Sequence, residues 1–137
     1  MWTYQNKPFT SDMIDNAIGF VYIITNLLNN KKYIGKKGFY SKIRKPPLKG
    51  KKRKRLVVNE SDWQHYYGSS DELQAVVDGN KENFSRVILH LCMSKGEMTY
   101  REAKLQFEYD VLLSPDFYNH FIGCKIHRAH LKKMIKS

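Results

Sequence analysis

Apolar and polar positions follow three rhythms along this chain. Phe20, Val21, Tyr22, Ile23, Ile24 and Thr25 form an unbroken aromatic and β-branched run, the composition of a largely buried strand. Asn29-Asn30 offers a tight turn, because asparagine tolerates the positive φ angles of short hairpin loops, and Lys32 to Gly35 returns as an antiparallel partner. Gly19 to Lys37 therefore reads as one hairpin carrying Tyr22 and Tyr33. A second apolar run, Phe84 to Leu91, follows the turn-like Asp78-Gly79-Asn80 and predicts a third strand. After the break at Ser94-Lys95-Gly96 the period lengthens: Tyr100, Ala103, Phe107 and Val111 recur three or four apart, predicting a helix from Thr99 to Leu113 with one apolar face. Ser114-Pro115-Asp116 stops it.

Weaker patterns fill the rest. Residues 1–17 carry Trp2, Tyr4, Phe9, Met13 and Ile14 among polar positions, enough to cover one side of a small sheet, with Ser11-Asp12 capping a short helical turn. Residues 38–62 contain Pro46-Pro47, Gly50 and a lysine-arginine cluster, and read as a long insertion loop without a regular element. Ser69 and Glu72 form a capping box for a short helix ending near Gly79. The basic tail, residues 120–137, interleaves Lys125, Arg128, Lys132, Lys133 and Lys136 with Ile126, Leu131, Met134 and Ile135, the pattern of a short helix docked on the core.

Composition narrows the class. The 137 residues, 42% hydrophobic and 13% aromatic, suit one domain with a real core. No apolar run approaches the ~20 residues that cross a bilayer, and the first residues lack a basic-then-apolar leader, so a cytoplasmic protein without membrane contact is expected. Cys92 and Cys124 read as free thiols. Cys124, His127 and His130 have helical spacing but lack the second pair of ligands of a closed zinc site.

Charge changes the picture most. The net charge is +11 with a pI near 9.7, and between Lys31 and Arg55 there is no acid at all. Such a block fits a phosphate backbone, whose counterions it releases. A solvated charge run, or a targeting signal at KGKKRKR, is the alternative. On composition alone Tyr22 and Tyr33 are half-buried strand aromatics. On the helix alone Thr99-x-x-Glu102 is a capping box, with the glutamate reaching back to the first turn.

The segment Gly19 to Lys37 nevertheless resembles the signature of the GIY-YIG nuclease family. Val21-Tyr22 stands for the end of the first half, displaced from Gly19 by Phe20, and Tyr33-Ile34-Gly35 matches the second half in full. Similarity extends over residues 19–119, through the third strand and Glu102 to Tyr118-Asn119. The implied fold class is α+β, a small antiparallel sheet of about three strands flanked by helices. Residues 1–137 are then a single nuclease domain.

The resemblance implies a compact, phage or mobile-element, homing-endonuclease-like enzyme that hydrolyses phosphodiester bonds of double-stranded DNA. Tyr22 would be the general base, Tyr33 would position the water or substitute for it, and Arg44 would stabilise charge on the phosphate, with Arg53 or Arg55 able to supply the same guanidinium chemistry. Glu102 would hold one divalent cation, magnesium or manganese, for which a carboxylate oxygen is a suitable hard ligand. Glu108 lies roughly 120° around the helix and would not share that site. Lys36 and Lys37 would contact phosphate or favour a phenolate, and Lys51, Lys52, Arg53, Lys54 and Arg55 would bind DNA. Gly35 and Asn119 would be structural supports. Tyr67-Gly68 stands where some members have a histidine, so no catalytic histidine transfers, and His65 reads as DNA-contacting or structural. A non-cleaving nucleic-acid-binding module of the same fold is the alternative.

Overall fold

The computed structural model describes residues 1–134. Its chain order is β1 (Trp2–Tyr4), β2 (Lys7–Pro8), β3 (Gly19–Asn26), β4 (Lys32–Gly38), β5 (Tyr40–Lys45), β6 (Arg55–Glu60), α1 (Asp71–Val77), β7 (Phe84–Cys92) and α2 (Lys95–Glu108). The class is α+β, but the sheet is larger than the three antiparallel strands expected. Five strands lie in the order β2-β1-β7-β3-β4, and β1 joins β7 in parallel, making the sheet mixed. Trp2 anchors that extra strand by donating its indole N–H to the Trp63 carbonyl at 2.7 Å.

β3 is an interior strand, between β7 and β4, and is buried on both faces, which explains its nearly continuous apolar run. Phe20, Tyr22 and Ile24 enter a core with Trp2, Phe39 and Trp63, while Val21 meets Ile34, Cys92 and Met98 under α2. The β3–β4 turn contains Asn30 at φ 60°, the left-handed conformation asparagine tolerates. A bulge leaves Leu89 of β7 unpaired between Val21↔His90 and Tyr22↔Ile88. It lets Ile88 and Leu91 face the same core despite their odd separation. Gly19 permits the close approach of α2: a Cβ there would collide with Met98 and would sit 2.7 Å from the Lys37 carbonyl oxygen.

Four expectations need correction. Residues 38–62 are not an irregular loop, because β5 and β6 pair from Tyr40↔Glu60 to Lys45↔Arg55 in a separate two-stranded ribbon. The ribbon packs neither face, so its strands lack the alternation that betrays a half-buried strand.

α2 begins at Lys95, not Thr99. Ser94 caps it by accepting from the Glu97 N–H at 3.1 Å, and the Glu97 carboxylate accepts from Met93 N–H at 2.7 Å. Glu102 is thereby relieved of any capping role. The inward face of α2 carries Met98, Ala103 and Gln106, while Phe107 is 63% exposed. Hydrophobicity misplaced that face because polar side chains share it.

α1 is capped by Ser70, which accepts from Leu73 N–H at 3.3 Å, rather than by Ser69. The tail forms a kinked 3-10 segment, Arg128–Met134, instead of a helix, and lies against the start of α2. Ile135, Lys136 and the side chain of Lys133, which belonged to that expectation, fall outside the described part. Both cysteines are free. Cys92 is buried beneath α2, which pushes its thiol up to about 12, and Cys124 is exposed.

Candidate active site

β4 ends the sheet, and a bare strand edge would leave its outward N–H and C=O groups unpaired. The chain following α2 closes that edge. Lys32 N–H donates to the Asp116 carbonyl at 2.8 Å and Tyr118 N–H to the Lys32 carbonyl at 2.7 Å, aligning residues 116–119 beside the strand. Asn119 then meets Ile34 twice, accepting its N–H at 3.1 Å and donating to its carbonyl at 2.8 Å. Gln106 from α2 donates to the same carbonyl at 3.0 Å. These bonds satisfy the buried middle of the edge with side chains and leave a cleft above it.

That cleft has a volume of about 570 Å³ and brings together Tyr33, Lys36, Ser69, Glu102, Gln106 and Asn119. It wraps the strand edge, so residues from both faces of β4 reach it. Tyr33 lies on one face, and its hydroxyl is hydrogen-bonded to Ser69 at 2.8 Å. Lys36 lies on the other and donates to the Thr99 hydroxyl at 2.9 Å. Tyr22 is 1% exposed and sits behind Tyr33, with ring centroids 6.3 Å apart. Its hydroxyl lies over Gly35, where any Cβ would collide with it.

Residues 2–122 match the family described as "Putative endonuclease segE, GIY-YIG domain". The chain belongs to the GIY-YIG nuclease family. No curated protein and no solved structure matches it significantly. Family membership makes nucleic acid its substrate class and endonucleolysis the family activity.

Within this GIY-YIG cleft the electrostatics are dominated by burial. Tyr22 is held well above the usual tyrosine range, first by desolvation and then by the neighbouring Tyr66, Tyr33 and Glu102. Tyr33 is also raised by burial, against which its hydrogen bond with Ser69 works. Burial raises Glu102 above the ordinary carboxylate range, while Lys36 pulls it back. The lysine beside the YIG signature thus acts on the glutamate rather than lowering the tyrosines.

The remaining site residues expected from the sequence lie elsewhere. Lys37 points away from the cleft, pairing with Asp62 at 2.7 Å and lying 4.2 Å from the Tyr66 ring centroid. Arg44 stands exposed on β5, opposite Leu56, and does not line the cleft. Lys51 to Lys54 occupy the ribbon's connecting loop and Arg55 opens β6. His65 belongs to a 3-10 turn outside the cleft.

Three contributors were not legible as such. Ser69 is released for Tyr33 because its neighbour caps α1, and only the exact helix start reveals this. Gln106 carries no local signal, since a glutamine in an amphipathic helix ordinarily faces solvent. Arg86 of β7 donates to the carbonyls of Gln64 at 3.1 Å and Tyr66 at 2.9 Å, with its guanidinium 4.1 Å from the Tyr67 ring centroid. It thereby pins the segment that delivers Ser69. A cation inside an apolar strand gave a signal, but its partners did not.

Among the described residues, no three His, Cys, Asp or Glu side chains cluster to form a metal cage, and this includes Cys124, His127 and His130. Nor is any described helix long and apolar enough to cross a membrane.

Proposed function

We propose that this chain is a divalent-metal-dependent DNA endonuclease acting in the cytoplasm and that the β4-edge cleft is its catalytic centre. The supporting observation is that Tyr33 and Lys36 of β4 and Glu102 of α2 line one cleft. Glu102 has no ion-pair partner at salt-bridge distance among the described residues, and its carboxylate faces a space open to solvent and phosphate. A single carboxylate suits magnesium or manganese, which retain several waters and take phosphate oxygens as further ligands. The residues therefore fit such an ion, with Glu102 as its protein ligand.

The bound cation would supply a Lewis acid for the phosphate and would favour deprotonation nearby. Tyr33 is the better-placed proton acceptor for the attacking water, since its hydroxyl reaches the cleft and Ser69 orients it. Tyr22 supports it from behind. Lys36 compensates the Glu102 charge and offers an ammonium to the phosphate. Arg44 is outside this set, so charge on the phosphate falls to Lys36 and the cation.

Supercoiled plasmid supplies the test. With magnesium the full chain should nick or linearise it, and chelation should stop the reaction. Tyr33→Phe and Glu102→Gln should each lower the rate at least about a hundredfold, in the range seen for lost acid-base and charge-stabilising groups. Salt-sensitive DNA binding without any metal-dependent cleavage would instead establish the non-cleaving module.

A further inference from the structure

The β5–β6 ribbon takes no part in the cleft, yet its construction is specific. Its six residue pairs run from Tyr40↔Glu60 to Lys45↔Arg55. Ile43 and Arg44 point to opposite faces, and both faces are exposed, with Leu56 beside Arg44. An isolated two-stranded ribbon is marginal in water, so exposed Ile43, Leu56 and Val58 call for a partner surface.

Charge states the chemistry of that partner. Nine lysines and arginines lie between Lys42 and Arg55, and no acid occurs from Tyr40 to Asn59. Such a surface is complementary to a polyphosphate.

Geometry narrows it further. The ribbon's root is firmly set: Phe39 is fully buried, its N–H donates to the Ile18 carbonyl at 2.9 Å, and its carbonyl accepts from Ser61 N–H at 2.7 Å. The Ser61 hydroxyl also donates to the Gly38 carbonyl at 2.6 Å. The ribbon thus leaves the core directly from the end of β4. At ~3.4 Å per residue its strands are about 20 Å long. The major groove of B-form DNA, ~12 Å wide, admits a two-stranded ribbon of this kind, whereas the deep, narrow major groove of duplex RNA does not.

We infer that the β5–β6 ribbon is an arm that enters the major groove of duplex DNA, setting Leu56 and Val58, which share one exposed face, against base edges and its basic tip against phosphates. This deepens the DNA-cleaving reading and rests on it. Phe39 is only four positions beyond Gly35, about 13 Å of extended chain, so the arm contacts base pairs within about one helical turn of the cleft, ~34 Å.

The arm is tested by binding the full chain to a 30-base-pair DNA duplex, the matching single strand and an RNA duplex, with about thirty units in each and all metal chelated. The DNA duplex should bind tightest. Replacing Lys51, Lys52, Arg53, Lys54 and Arg55 by glutamine should flatten the slope of log affinity against log salt by roughly 4.5, at about 0.9 per lost phosphate contact.

A second variant, Leu56→Ser with Val58→Ser, should leave that slope unchanged but reduce protection of guanine N7 from dimethyl sulfate in the saturated duplex. An unaltered slope in the first variant, N7 protection unaltered in the second, or equal affinity for single strand or RNA would overturn the arm. Because metal is absent, an inactive cleft cannot alter these readings. Plasmid left uncut by a protein whose arm binds as described would overturn the proposed activity alone.

Discussion

Burial shifts Glu102 and Tyr33 in the same sense, toward their neutral forms, and each shift has a consequence with pH. Glu102 is raised in the folded state, so the fold binds more protons than the unfolded chain does in and just above the ordinary carboxylate range. Its contribution to stability is fullest below the unfolded value and is lost as pH rises through the folded one. Glu102→Gln should therefore raise the melting temperature at neutral pH and leave it unchanged in acid below the unfolded carboxylate pKa. The same substitution should abolish stabilisation by added magnesium, since an ion that binds only the folded state raises its melting temperature. Differential scanning calorimetry with and without the metal reads both effects. Tyr33 is raised too, so the phenolate fraction at neutral pH is small. Cleavage should accordingly climb close to tenfold per unit between about pH 7 and about pH 9. A flat profile in a single-turnover assay would remove Tyr33 from the base role.

The α1 entrance separates two serines that the sequence makes look equivalent. Ser70 caps the helix through Leu73, whereas Ser69 holds the Tyr33 hydroxyl. Ser70→Ala should lower stability by about 1 kcal/mol in urea denaturation while cleavage at saturating DNA stays close to normal. Ser69→Ala should do the reverse, leaving the denaturation midpoint within about 0.5 kcal/mol and lowering the cleavage rate. Equal effects of the two would mean that this division of labour is wrong. In α2 the same logic operates at the other end: Ser94 and Glu97 complete the cap, so Glu102 and Gln106 remain available to the cleft and to β4.

The molecule is held together across the sheet by long-range ties. Arg86 links β7 to the Gln64–Tyr66 backbone and lies against Trp2 and Tyr67. Desolvation depresses its guanidinium pKa without discharging it, because two carbonyls and two aromatic faces surround the charge. Arg86→Ala should lower global stability by roughly 2–4 kcal/mol, the sum of charged hydrogen bonds and cation–π contacts. It should also slow cleavage, since the segment bearing Ser69 loses its attachment. Chemical denaturation beside single-turnover cleavage measures both. A loss of stability with the cleavage rate intact would restrict Arg86 to packing.

The hairpin was legible because its apolar run and turn asparagines are local signals, and the third strand for the same reason. The signature tyrosines pointed to a nuclease because Val21-Tyr22 and Tyr33-Ile34-Gly35 resemble the GIY-YIG signature, a resemblance carried by residue order alone. The parallel β1–β7 pairing was not legible, since residues more than eighty positions apart make it and neither strand names its partner. Nor was the ribbon, which buries no face and so leaves no periodic trace. Arg44 followed Tyr33 at a suggestive interval, yet the ribbon carries it away from the cleft. Interval along the chain becomes distance in space only where the intervening chain has a known path. Local chemistry, charge and strand patterning are properties of neighbouring residues, which the sequence contains in full. The meeting of Tyr33, Ser69, Glu102 and Asn119 at one strand edge depends on how α2, α1 and the chain beyond α2 pack around β4, and packing is a property of the folded whole.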